Sequence, residues 1–189
     1  MIISKKNVED YNNNGAIVLR SVFKEWIQTL RVGVEKLMLH PSPRERSYNP
    51  DDGSAPFFQD LCNWNRFQEF NNFIKKSPMG EIAAKLMNSN MSRFFHDHVL
   101  VKEPGSSIVT PWHQDQPYYC VDGIQNVSFW IPLDKINQDT SLKCVSGSHL
   151  WGKLHKPKRF NGEDLFENDK SEEIPDIDSN KDIYKILSW

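Results

Sequence analysis

Residues 96–119 read HDHVLVKEPGSSIVTPWHQDQPYY, and the fold turns on how this stretch is taken. It is β-branched and aromatic in short runs, with Pro104-Gly105 breaking it in two, which predicts strands rather than helix. Within it, Trp112-His113-Gln114-Asp115 is the sharpest feature. On an extended backbone, residues two apart project to the same face, with Cα atoms roughly 6.6 Å apart at ~3.3 Å rise per residue. His113 and Asp115 can therefore lean toward one cation at ~2.0–2.2 Å, a ligand distance of the kind found on zinc. Imidazole plus carboxylate suits a divalent first-row metal, and a further histidine would complete the facial triad of a non-haem Fe(II) oxygenase. The triplet H-x-D alone is weak, because it also occurs in ordinary strands.

The same short-run pattern extends outward over 91–102, 106–115, 125–133 and 142–146, with turn signals at Pro104-Gly105, Asp122-Gly123 and Gly147. Before it, the periodicity is helical. Residues 4–13 are helix-compatible with Ser4 as cap and Gly15 as stop, and Ala16–Leu19 reads as a short buried strand. Phe23, Trp26, Ile27, Leu30, Val34 and Leu37 recur at steps of three or four, which predicts a helix over 22–39. Four prolines and a glycine make 41–56 an irregular loop, and helical spacing returns over 64–76 and 79–88. Helices followed by closely spaced strands predict a helical layer on one face of an antiparallel sheet or barrel. Residues 161–189 carry nine acidic residues and three lysines, and read as a surface loop leading into a strand near 183–187.

Composition bounds the rest. The 189 residues suit one domain spanning 1–189, and 38% hydrophobic with 12% aromatic content is enough for a core. With 23 Lys and Arg against 25 Asp and Glu, no basic field exists for nucleic acid or an anionic membrane. The longest apolar runs are too short to span a bilayer, and the N-terminus lacks the apolar region of a secretory signal. Cys62, Cys120 and Cys144 have no metal or redox spacing, and read as reduced thiols of a cytoplasmic protein.

Several ordered segments carry a resemblance. His96–Gly105, Thr110–Tyr119, Val127–Asp134, Ser146–Gly152 and the opening Asn13–Arg20 together resemble the phytanoyl-CoA dioxygenase family over nearly the whole chain. That resemblance implies a double-stranded β-helix, or jelly-roll, with the N-terminal helices (about 1–90) packed outside and the strands over about 91–189. It implies Fe(II) held by two histidines and one aspartate, 2-oxoglutarate as cosubstrate, and O₂ cleavage coupled to hydroxylation of a small molecule with release of succinate and CO₂. Carried onto this chain, His113 and Asp115 would be iron ligands. Trp130, Gln114 and His98 fall at positions beside the cosubstrate, although the residue type at 98 departs from the usual pattern. Lys102 shares a strand face with His98 and could neutralise the dicarboxylate. Tyr118, Tyr119 and the 41–58 loop would border the pocket mouth.

The resemblance also marks what is missing. His149 sits at a turn position in the family, and the distal histidine ligand and the arginine for the 2-oxoglutarate carboxylate would follow the strand beginning near Ile183. Neither segment occurs before Trp189, which predicts a barrel incomplete at its C-terminus and a chain that is the N-terminal portion of a longer dioxygenase. The competing expectation is a non-catalytic ligand-binding module on a degenerate jelly-roll. A third is a cupin-like enzyme using His113, Asp115 and His149.

Overall fold

In the computed structural model, which describes residues 2–189, helices form in the four stretches where the sequence predicts them. Helix α1 spans Lys5–Asn14. The side chain of Ser4 caps it by accepting from the Asn7 backbone, and Gly15, at φ +80°, ends it in the left-handed conformation that glycine adopts without strain. Helices α2 (Ile27–Leu39), α3 (Gln68–Lys76) and α4 (Met79–Leu86) follow.

The chain divides into two units. The first is built on Leu19–Ile108 with Ile131–Asp134. Its core is the seam between α2 and α3, where Leu30, Leu37, Phe70 and Phe73 are buried and Phe23, Trp26, Phe58 and Val99 pack against them. Rings of Phe23 and Trp26 meet Phe73 edge-on at 5.2 and 5.6 Å, the favoured aromatic geometry. Strands β1 (Phe57–Leu61) and β2 (His98–Lys102) form an antiparallel ribbon with Phe57 opposite Lys102 and Leu61 opposite His98. Directly opposed residues share a face. Phe57, Gln59, His98, Leu100 and Lys102 therefore line one side, while Phe58 and Val99 turn to the helices.

Buried charge in this unit is met by hydrogen bonds. Asp60 is fully buried and accepts from the backbone and hydroxyl of Ser42 and from the Leu61 amide. Burial works to raise its pKa, but these bonds outweigh it and hold the carboxyl below its ordinary value. Asp97 accepts from the amides of Asn63 and Trp64, yet burial dominates there and pushes its pKa up.

The second unit comprises Ser4–Val18, Val109–Trp130 and Lys135–Trp189. Strands β3 (Lys143–Val145) and β4 (Ile186–Ser188) pair antiparallel, and the turn after β3 docks on the end of α1. Gly147 donates to the Asn14 carbonyl at 2.9 Å, and Ser146 Oγ to Asn14 Oδ1 at 2.8 Å.

Several expectations need correction. Residues 16–19, 106–115 and 125–133 are not strands, and β1 forms where none was expected. A strand is stabilised by its neighbour's ladder, and among the described residues those three stretches have none. The described residues thus hold two separate two-stranded sheets and no closed barrel.

Two substitutions test the α2–α3 seam. A Cβ at Gly33 would come within 2.6 Å of the Phe70 ring. Gly33→Ala should thus destabilise, by about 1–3 kcal/mol, despite the better helix propensity of alanine. Leu37→Ala, at a fully buried site, should cost about 2–5 kcal/mol. Urea unfolding of each variant measures both.

Candidate metal centre

The segment carrying the H-x-D triplet is fastened by its even-numbered side chains. Trp112 Nε1 donates to Asp178 Oδ2 at 3.1 Å. The Gln114 amide donates to the Lys153 carbonyl at 3.0 Å and accepts from the His155 amide at 2.8 Å. One side chain thereby supplies the donor and acceptor that a neighbouring strand's backbone would offer. The 153–158 segment is itself zipped to acidic residues: Lys153 to Glu172 and Lys158 to Glu173, each at 2.9 Å, and Lys156 to Asp164 at 3.2 Å. His155 is buried and its Nδ1 bonds the Glu173 carbonyl.

His113 and Asp115, the two residues between and after these anchors, come together. His113 Nε2 stands 3.5 Å from Asp115 Oδ1. Asp115 is not extended, as the spacing argument assumed. Its φ of −70° and ψ of −38° begin a single turn over Gln116–Tyr118, with Pro117 inside it. His113 Nδ1 lies 2.8 Å from the Pro111 carbonyl. A carbonyl only accepts, so Nδ1 carries the hydrogen and the neutral ring presents the Nε2 lone pair to Asp115. An anionic oxygen and a lone pair facing each other call for a cation between them, a proton or a metal. The Tyr118 ring meets the imidazole edge-on at 5.8 Å, and its hydroxyl bonds Lys158 through both carbonyl and amide.

Asp115 has a further partner that the sequence did not single out. Ser128 Oγ donates to its Oδ2 at 2.7 Å, and Tyr119 Oη stands 3.3 Å from Ser128 Oγ. The His113 hydrogen bond, with help from Ser128, holds the Asp115 carboxyl down to about 2. Asp115 in turn raises the His113 pKa against the effect of burial. Burial carries the Tyr119 phenol up to about 12.

A sequence model of phytanoyl-CoA dioxygenase (PhyH) matches residues 11–184. The chain belongs to the phytanoyl-CoA dioxygenase family. No curated protein and no solved structure matches it. The family's members are jelly-roll oxygenases that use Fe(II) and 2-oxoglutarate. The donor set fits two coordination positions of such an ion, since one imidazole nitrogen and one carboxylate oxygen face the same gap. Among the described residues, no group of three His, Cys, Asp or Glu side chains is placed to hold a metal.

The remaining candidates are distributed as follows. His98 and Lys102 belong to the first unit, on one face of the β1–β2 ribbon as their parity predicts. His98 Nε2 bonds Gln59 Oε1 at 2.9 Å. Lys102 Nζ donates to the Ile108 carbonyl and lies 4.9 Å from the Phe57 ring centre, and burial lowers its pKa. Trp130 is 46% exposed. His149 is engaged elsewhere, its Nε2 bonding the Asn12 carbonyl at the end of α1. No helix among the described residues is long and apolar enough to cross a membrane.

The ion pair sets a pH window for stability. The raised His113 pKa gives a contribution that is full below its ordinary value of 6.5 and is lost as pH rises through the raised value. The lowered Asp115 pKa gives one that is present above 3.8 and is lost as pH falls toward about 2. The stability difference between the metal-free protein and its His113→Asn variant should therefore be largest near pH 4–6 and shrink above neutrality. Denaturation midpoints across pH 4–9 measure it.

Proposed function

We propose that this protein is a non-haem Fe(II)- and 2-oxoglutarate-dependent dioxygenase that hydroxylates a small molecule. One observation carries the reading. Within a chain of the phytanoyl-CoA dioxygenase family, Pro111 fixes the His113 tautomer so that Nε2 faces the Asp115 carboxylate across a cation-sized gap. His113 and Asp115 would hold the iron. By the family resemblance, Gln114 and Trp130 of the same unit would attend the cosubstrate. The Gln114 amide also fastens the motif to Lys153 and His155, so its part there is to keep the ligand pair in place.

When bound, Fe(II) and 2-oxoglutarate supply the oxidation: one oxygen atom of O₂ enters succinate and the other a substrate C–H bond, with loss of CO₂. What the chain contributes is position. The Pro111 carbonyl keeps a proton on Nδ1, and the Trp112 and Gln114 contacts anchor the segment. We read residues 1–189 as belonging to one jelly-roll domain, because the family match runs across both units.

The test is conversion of 2-oxoglutarate to succinate by protein supplied with Fe(II) under air. We expect turnover that a chelator abolishes, and background levels in His113→Ala and Asp115→Ala. Turnover unchanged in both ligand variants would remove the proposal.

A further inference from the structure

We infer that Ser128 is a positioning residue, one that ties off one oxygen of Asp115 so that only the other is offered to a divalent cation shared with His113. This rests on the iron reading above but goes beyond it. An aspartate beside a cation can bind through one oxygen or through both. Here the two oxygens are already distinguished. Oδ1 faces His113 Nε2 at 3.5 Å, while Oδ2 accepts from Ser128 Oγ at 2.7 Å.

The direction of the Ser128 bond is fixed by chemistry. An ionised carboxylate only accepts, so the single hydroxyl hydrogen of Ser128 points at Oδ2. Tyr119 Oη stands 3.3 Å from Ser128 Oγ and also hydrogen-bonds the Asp115 carboxylate, to which it can only donate. Ser128 and Tyr119 thus both brace the Asp115 carboxylate, Ser128 at Oδ2. A carboxylate held this way occupies one coordination position with its Oδ1 and leaves the neighbouring one open to a further ligand. A Ser128 that merely stapled residue 128 to residue 115 would affect stability and leave cation binding alone, so the two roles have different signatures.

The experiment is titration of the full chain with Co(II), followed through its visible absorption, for the unaltered protein, Ser128→Ala, Ser128→Val, Ser128→Thr, Tyr119→Phe and Asp115→Ala. Outer-sphere partners of metal ligands are typically worth roughly 10- to 100-fold in affinity. Ser128→Ala should weaken Co(II) binding by about that factor and alter the absorption envelope. Ser128→Thr, which keeps the hydroxyl, should restore both. Tyr119→Phe should weaken binding in the same direction by less, and Ser128→Val, which matches Ser128→Thr in shape without the hydroxyl, decides the matter if Ser128→Ala does not fold. Unaltered affinity and spectrum in Ser128→Ala, with binding lost in Asp115→Ala, overturns the positioning role and leaves the iron reading standing. Failure of the unaltered protein to take up Co(II), or full binding by Asp115→Ala, overturns the iron reading and this role with it.

Discussion

The arrangement depends on how four consecutive residues, Trp112 to Asp115, divide their contacts. Trp112 and Gln114 are spent on the 153–178 segment, while His113 bonds the Pro111 carbonyl and meets the Tyr118 ring edge-on. The turn at Gln116–Tyr118 then brings Asp115 round to meet the imidazole. A hydrophobic residue at 114 would leave a carbonyl at 153 and an amide at 155 without partners, an expensive condition for backbone groups removed from water. The polarity of Gln114 thus serves the geometry of its neighbours.

The segment that receives these contacts is held by charge more than by apolar burial. Lys153, Lys156 and Lys158 each meet a carboxylate from the 164–173 stretch, and Val145 and Ile177 are the buried hydrophobic residues of the second unit. Exposed ion pairs are individually weak and screened by salt. Backbone bonds between 156 and 172 and between 159 and 163 supplement them. By contrast, the first unit is organised by a conventional aromatic and aliphatic seam between α2 and α3.

The helices were legible in the sequence because their apolar residues recur with the period of the element, and the ends of α1 because Ser4 and Gly15 have the right chemistry for caps. The strands were less so. FFQDL at 57–61 does not alternate, since it carries Asp60 and Gln59 into buried positions where Ser42, Arg46 and His98 satisfy them. Residues 106–115 and 125–133 look strand-like, but local composition cannot reveal whether a ladder partner exists. At the site, His113 and Asp115 do meet, but through the turn at Gln116–Tyr118 and not along a strand as their spacing suggested, and the family is legible in the surrounding motifs. Ser128 is not, because a hydroxyl thirteen residues away carries no local signal of where it donates. Nor is the Pro111 carbonyl, since every residue has one.

The central claim is that Nε2 of His113 and a single oxygen of Asp115 grip one ferrous ion. Anomalous diffraction at the iron edge from anaerobic crystals of the Fe(II)-loaded protein tests it directly. The account predicts one iron peak about 2.0–2.2 Å from His113 Nε2 and from Asp115 Oδ1, the range such donors adopt on zinc, with Asp115 Oδ2 still bonded to Ser128. Iron bound at another set of side chains, or to His113 through Nδ1, would contradict it.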